Sequence, residues 1–253
     1  MKERINKLSL NLSELLNYPK NIQEAKELQL KWKNDYLNFI NKNNNLNKFK
    51  LKENIQFIAG VDISYFNFND KYIGVACAVV WSFFNRNIIE IQFHDEFVEF
   101  PYISGLLAFR EGPLILKSLL ELNNIPDLIL FDGHGKFHPI KFGEAVHLGY
   151  ALRIPSIGIA KRPIMIEYKW NKPLKKGLFD EICIENEIIA YALVIRDNYK
   201  PVFISEGFNI RLKDCLEICI KCAGNFKEPE PLALAHIFSK GKINELKKKY
   251  LKI

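Results

Sequence analysis

Four ionisable residues stand where apolar runs of the chain end, the places from which a sheet offers side chains to a substrate. Asp62 lies in Ala59-Gly60-Val61-Asp62-Ile63-Ser64, near the end of a run that begins at Gln56. A carboxylate in so apolar a stretch must be paired, hydrogen-bonded or bound to metal, although an Asp also caps turns without further function. Asp132 closes Leu128-Ile129-Leu130-Phe131 and opens Asp132-Gly133-His134-Gly135. Ligands of α/β sheets bind beyond the carboxyl ends of strands, and a Gly after the Asp lets a substrate backbone approach. An ordinary turn uses Asp-Gly too. Glu111, in Phe109-Arg110-Glu111-Gly112-Pro113, falls just ahead of an expected helix, whose dipole alone would favour it there. Three such carboxylates could converge on hard divalent cations, which prefer oxygen ligands. Lys161 directly follows the run Ser156 to Ala160, where its ammonium could meet a scissile phosphate or position a water. The alternative is a plain surface lysine.

Histidines and cysteines add further candidates. His134-Gly135-Lys136-Phe137-His138-Pro139 and Gly143-Glu144-Ala145-Val146-His147-Leu148-Gly149 pair glycines with histidines. Small residues allow close backbone approach to nucleic acid and His can contact phosphate or base, yet His147 on a helix could equally be structural. No zinc-ligand pattern is recognisable among them. Cys215, Cys219 and Cys222 share the spacing of the cluster-binding cysteines of radical enzymes that use S-adenosylmethionine. Positions i, i+4 and i+7 also fall on one helical face. In those enzymes the cysteines sit on an early loop; here they come late, within an apolar helical run, so a buried stripe is the expectation.

The elements that must position these residues follow from periodicity. Ile22, Ala25, Leu28, Trp32, Tyr36 and Phe39 recur at helical spacing, and the polar run Asn41 to Asn45 should end that helix. Gln56 to Ser64, Tyr72 to Phe83 and Ile88 to Phe97 are strand-like with short polar connections, an antiparallel meander. Pro113 to Leu122 suits a helix with Pro113 in its first turn. Leu128 to Phe131 is a short strand, Phe142 to Leu152 a helix and Ser156 to Ala160 another strand, the alternation of parallel crossovers. A hairpin over Ile182 to Ile195, a strand at Val202 to Ser205, and helices over Leu212 to Cys222 and Leu232 to Tyr250 complete the chain. Three antiparallel strands, then helix, strand, helix, strand, is similar to the element order of the ribonuclease H-like fold. The expected class is α/β, with a mixed central sheet flanked by helices.

Composition bounds the partners. The chain has 253 residues, 48% of them hydrophobic, so it can bury a large core without disulfides or structural metal. A net charge of +7 and a pI near 9.0 admit polyanionic partners, nucleic acid or anionic membrane, without choosing one. Five cysteines, odd in number and scattered through apolar runs, suggest free thiols in a reducing compartment. Met1-Lys2-Glu3-Arg4 is not followed by a signal-peptide core, and no apolar run approaches a membrane span, so a cytoplasmic location is expected. Lacking repeats and a flexible linker, residues 1–253 are expected to form one domain, with 1–54 a helical N-terminal extension packed on it.

Taken in order, several strings resemble the endonuclease V family. They are Val61-Asp62-Ile63-Ser64-Tyr65, Pro101-Tyr102-Ile103-Ser104-Gly105-Leu106-Leu107-Ala108-Phe109-Arg110-Glu111, Asp132-Gly133-His134-Gly135, His138-Pro139, Gly143 to Gly149, Gly158-Ile159-Ala160-Lys161, and Glu228-Pro229-Glu230-Pro231-Leu232 leading to Ala235-His236. Each is weak alone; the ordered set, from Gln56 to His236, is specific. The resemblance implies that Asp62, Glu111 and Asp132 hold magnesium, or manganese in its place, with His236 a further metal-associated residue. It implies that Tyr102 is a wedge filling the gap left by a flipped base. Leu107, Gly133, Gly135 and Gly158 would then lie at the pocket for that base, with His138, Gly143 and Lys161 also on the nucleic acid. The implied reaction is cleavage of the second phosphodiester 3′ to deoxyinosine in DNA, leaving 3′-hydroxyl and 5′-phosphate ends. No obligate protein partner and no membrane is implied.

Four positions depart from the family pattern: Ser104 in place of a second wedge proline, Ile140 and Ala233 in place of common arginines, and Phe208 in place of a polar residue, often histidine. None is a proposed metal ligand. Two other readings stay open: an inosine-specific endoribonuclease of the same family, and a non-catalytic nucleic-acid-binding protein of this fold. Binding alone would not need the carboxylate set.

Overall fold

The computed structural model describes residues 12–43 and 55–251. The charged N-terminal tetrapeptide and the end of the Asn41 to Asn45 run lie outside them. Two helices come first, α1 (Ser13–Leu16) and α2 (Ile22–Lys42). The side chain of Asn21 caps α2 by accepting from the Glu24 amide at 2.9 Å, and Glu24 Oε2 accepts from the Lys20 amide at 2.6 Å. Strands β1 (Phe57–Phe68), β2 (Lys71–Ser82) and β3 (Ile88–Val98) form the expected meander. Then come α3 (Leu107–Leu120), β4 (Leu128–Phe131), α4 (Glu144–Leu152) and β5 (Ser156–Ala160). The hairpin β6 (Phe179–Ile184) and β7 (Glu187–Leu193), strand β8 (Val202–Glu206), and helices α5 (Leu212–Lys221) and α6 (Glu230–Leu251) follow.

One eight-stranded sheet runs in the order β3-β2-β1-β4-β5-β8-β7-β6. Its centre, β1-β4-β5, is parallel; both flanks are antiparallel, with β8 joining β5 in the opposite sense. This is the mixed sheet of a ribonuclease H-like α/β fold. Period-2 alternation divides the core between the two faces. Ala59 and Val61 pack with α1 to α4 through Leu15, Trp32, Phe109 and Leu148, whereas Ile58, Leu128 and Leu130 pack with α5 and α6 through Cys215, Cys219 and Leu232. Among the described residues no helix is long and apolar enough to cross a membrane.

Two expectations are corrected. Strand β1 does not stop near Ser64 but continues to Phe68, because Asn69 and Asp70, at φ +49° and +60°, make a two-residue hairpin turn that keeps β1 paired with β2. Asp62 is therefore a mid-strand residue. Helix α3 begins six residues before Pro113, so Pro113 is interior and Glu111 lies within the helix. Leu107 to Arg110 have the apolar and helix-compatible character to start it earlier, and Pro113 forgoes one helical hydrogen bond.

Candidate active site

The parallel ladder between β1 and β4 ends at the pair Val61 and Phe131. Asp62 and Asp132 are the next residues on each strand, side by side at the carboxyl end of β4. Beyond that point β1 has no partner on the β4 side, and groups from both faces of the sheet meet there. Gly60 makes the approach from one face possible: a Cβ on it would stand 2.2 Å from the Pro231 carbonyl oxygen. The start of α6 thus seats directly on β1 and carries two residues to Asp62. Ser239 Oγ donates to Asp62 Oδ2 at 2.8 Å, and His236 Nδ1 lies 3.2 Å from the same oxygen. This hydrogen bond to Asp62 raises the His236 pKa against the opposing effect of burial.

From the other face α3 brings Glu111, whose Oε1 accepts from the Tyr65 hydroxyl at 2.8 Å. Tyr65 is held in turn by the buried Arg110, whose guanidinium lies 4.8 Å from the ring centroid and donates to the Phe100 carbonyl at 2.5 Å. Lys161, one residue past β5, bonds Asp132 Oδ2 and lies 3.5 Å from Glu228 Oε1. Burial would lower the Lys161 pKa, but the Asp132 and Glu228 charges more than reverse this and raise it.

The centre is electrostatically loaded. Burial, with the charges of Asp132 and Asp62, pushes Glu111 up to about 8 despite its hydrogen bond from Tyr65. Burial, with the Asp62 charge, pushes Asp132 up to about 6 despite Lys161. Carboxyls so close together, with pKa values raised by one another's charge, are a sign that positive charge is wanted there. As they stand, no three of the described His, Cys, Asp and Glu side chains close on one point that could hold an ion. Each carboxylate is instead turned onto a protein partner through one oxygen: Asp62 to Ser239 and His236, Glu111 to Tyr65, Asp132 to Lys161. The donor set is all oxygen apart from His236, the chemistry of a hard divalent cation.

Next to this centre lies a cavity of about 250 Å³ lined by Tyr102, Leu107, His134, His138, Glu144 and Arg162 among others. Tyr102 is 70% exposed at its rim, on the loop between β3 and α3, while Phe100 beside it is buried. The core-packed reading of Tyr102 is thereby set aside. His138 is buried in the wall, its Nε2 3.1 Å from the Gly105 carbonyl oxygen. At three glycines the space a Cβ would take is filled by protein: by Glu206 backbone at Gly135, His134 backbone at Gly143, and Gly135 itself at Gly158. They let the loops behind the cavity close on one another and do not line it. His147 is remote from the centre, stacked among Trp32, Phe109 and Phe142 with both ring nitrogens unpartnered and its pKa pushed down by burial to about 3.

The departures from the family pattern fall in different surroundings. Phe208 is buried against Tyr36, Phe39 and Tyr150, so an apolar ring suits it, and Ile140 packs on the same core. Ala233 is buried on α6, and Ser104 lines the cavity. Tyr65, Glu144, Glu228 and Ser239 were not foreseen as site residues. Three of them stood inside the matching strings, and Ser239 is signalled only by following His236 at i+3 on one helix.

Known proteins resemble the chain in sequence and in fold. The family model "Endonuclease V" matches residues 40–237. The endonuclease V of Dictyoglomus thermophilum is 43% identical over 192 residues, 76% of this chain and 82% of that protein. The crystal structure of endonuclease V from Bacillus subtilis superposes with a TM-score of 0.77 at 30% identity, covering 91% of this chain and 95% of the other. That of Ciona intestinalis endonuclease V, in complex with a 24mer DNA containing an inosine followed by a ribo-adenosine, gives a TM-score of 0.69 at 25% identity, covering 84% and 99%. With its carboxylates gathered where the β1–β4 ladder ends, and matched through most of its length in sequence and in fold, the chain belongs to the endonuclease V family and is a nuclease.

Proposed function

We propose that this chain is a divalent-metal-dependent endonuclease that recognises deoxyinosine in DNA and hydrolyses the second phosphodiester bond on its 3′ side, leaving 3′-hydroxyl and 5′-phosphate ends. The observation that carries the proposal is the gathering of buried Asp62 with the half-buried Glu111 and Asp132, whose pKa values are both raised, beside a cavity rimmed by the exposed Tyr102. Magnesium, with manganese able to substitute, would be held by Asp62, Glu111 and Asp132, with His236 completing the set. Bound there, such an ion polarises a phosphoryl oxygen and lowers the pKa of water. The chain's own residues do the rest. Ser239 fixes one oxygen of Asp62 and Tyr65 one of Glu111, which leaves the other oxygen of each for the ion. Lys161 is placed to exchange its contact with Asp132 for one with a phosphate. Tyr102 fills the stack when the base turns out, a step that is cheapest where pairing is already weak, as at inosine.

The Ciona complex, whose DNA carries a ribo-adenosine after the inosine, favours one second reading: the strand cut by this chain is ribonucleic. A single experiment separates the two. Labelled duplex DNA with one deoxyinosine and matched RNA with one inosine are incubated with the protein and magnesium, with and without chelator. Chelator-sensitive cutting of the DNA at the second 3′ phosphodiester is the expected result. Cutting of the RNA alone would replace the DNA reading, and undiminished cutting in chelator would remove the metal.

A further inference from the structure

Glu144 is left without a task by the carboxylate centre. It is the first residue of α4, is 4% exposed, and its Oε1 is buried without a hydrogen-bond partner. A buried acceptor with no donor is costly, and native structures rarely keep one without a use. The backbone makes room for it: a Cβ at Gly133 would lie 2.3 Å from Glu144 Oε2. Its side chain lines the cavity beneath Tyr102, and a second unpartnered buried atom, Nδ1 of His134, belongs to another residue of the same lining. Two unsatisfied polar atoms in one cavity wall describe a pocket whose ligand brings the missing hydrogen bonds.

We propose that Glu144 accepts a hydrogen bond from the ring N–H of the base lodged in that cavity, and so reads deamination itself. The inference rests on the function proposed above. In adenine, N1 is a bare acceptor. Replacing the 6-amino group by oxygen turns N1–C6 into a lactam, and N1 then carries a proton. A carboxyl group keeps an acceptor oxygen whether ionised or protonated, so it can always receive that N–H. Burial and the charges of Glu111, Asp132 and Asp62 raise the Glu144 pKa, and a neutral carboxyl can also donate to adenine N1. Ionised, as at alkaline pH or with a cation on the neighbouring carboxylates, it meets adenine N1 lone pair to lone pair, and a site built for a donor rejects a ligand that lacks it. Guanine also carries N1–H, so Glu144 separates hypoxanthine from adenine and leaves guanine to be refused by other means.

The test uses oligonucleotides bearing deoxyinosine, 1-methyldeoxyinosine or deoxyadenosine at one position. Two quantities are read: the dissociation constant in chelator and the single-turnover cleavage rate in magnesium. The wild-type protein should prefer deoxyinosine to both other bases. Glu144→Leu, similar in size and without an acceptor, should lower deoxyinosine affinity by roughly ten- to hundred-fold and leave deoxyadenosine little changed. Glu144→Gln keeps an acceptor oxygen and should restore most of the deoxyinosine affinity, while its added N–H donor can serve adenine N1 and should narrow the preference. Should Glu144→Leu fail to fold, the wild-type protein still decides, because the N1-methyl group removes the donor and must weaken binding. Equal binding of deoxyinosine and 1-methyldeoxyinosine overturns the proposal. So does an undiminished preference in Glu144→Leu, or a loss confined to magnesium affinity measured by titration calorimetry on the free protein. A wild-type protein with no preference for deoxyinosine in either readout would instead defeat the function on which the proposal rests.

Discussion

Two trios of ionisable side chains invite comparison, one assembled by the sheet and one written along a single helix. Asp62, Glu111 and Asp132 are far apart in sequence, yet β1, α3 and β4 bring them to one place where burial and mutual repulsion raise Glu111 and Asp132. Cys215, Cys219 and Cys222 are neighbours in sequence and all fully buried. Burial pushes their thiols up, to about 12 for Cys222, so they stay neutral and act as small apolar groups in the core under α5. Spacing alone marks the cysteines as the stronger motif. Electrostatics reverses the order: a site needs groups that the fold keeps charged or competing for charge, and a thiol without a cation or helix start near it is inert.

The sharpest break in that comparison is Asp132→Asn. The amide keeps the shape and loses the charge that would hold metal, so cleavage should fall by about a thousand-fold or more, while substrate binding largely survives. Single-turnover rates and binding constants measured together check this. Near-normal turnover in magnesium would take Asp132 out of the centre. Next in size is Tyr102→Ala. A base-stacking ring contributes roughly 1–3 kcal/mol, so deoxyinosine binding and cleavage should drop by about five- to hundred-fold with little change in melting temperature. A parallel loss of stability would mean that the 70% exposed ring is nonetheless structural.

Glu111→Gln sharpens the electrostatic half. In the metal-free folded protein Glu111 titrates near 8, against 4.5 as its ordinary value. Between those values the folded state binds more protons than the unfolded one, so this group makes stability fall as pH rises from about 4.5 to about 8. The amide removes that penalty and can still accept from Tyr65. In chelator, Glu111→Gln should therefore melt higher than wild type at pH 8.5 and nearly alike at pH 5. Magnesium should raise the wild-type melting temperature at pH 8.5, less at pH 5, and the variant's little at either. A wild-type advantage in chelator at pH 8.5 would mean that the carboxylate is already neutralised by protein.

Much of this was legible before any coordinates. Alternation exposed the meander, and short apolar runs between helical ones exposed the parallel centre, because both rest on local periodicity. Asp62, Asp132 and Lys161 were visible as charges at the ends of apolar runs. Glu111 lies inside its helix and not ahead of it, because Pro113, which favours a first turn, stands here in the interior of α3. Ser239, Tyr65 and Glu144 could not be singled out: their roles depend on which strand and helix faces meet, and that depends on Gly60 admitting α6 and Gly133 admitting Glu144. The glycines of the Asp132 loop and of α4 carried a signal of close approach, but not whether the approaching backbone was ligand or protein.

The smallest expected effect lies in the other trio. Cys219 is fully buried on α5, and its thiol is raised chiefly by burial with Cys222 beside it. Replacing it by Ala removes a sulfur from a packed layer and leaves a small void, a loss of about 1 kcal/mol or roughly 2–4 °C in melting temperature. Cleavage of deoxyinosine DNA should be unchanged, because the hydrogen-bond partners of Asp62, Glu111 and Asp132 all lie outside α5. If instead the three cysteines held an iron–sulfur cluster, Cys219→Ala would abolish the visible absorption of anaerobically purified protein and lower its iron content. Protein purified without oxygen should show neither that absorption nor stoichiometric iron and sulfide before any mutation is made. Helical spacing at i, i+4 and i+7 is what a helix needs to bury three side chains against a sheet, and Ile157, Ile204 and Leu216 complete that layer. A cluster would need the thiols ionised and open to iron, and burial among apolar side chains opposes both.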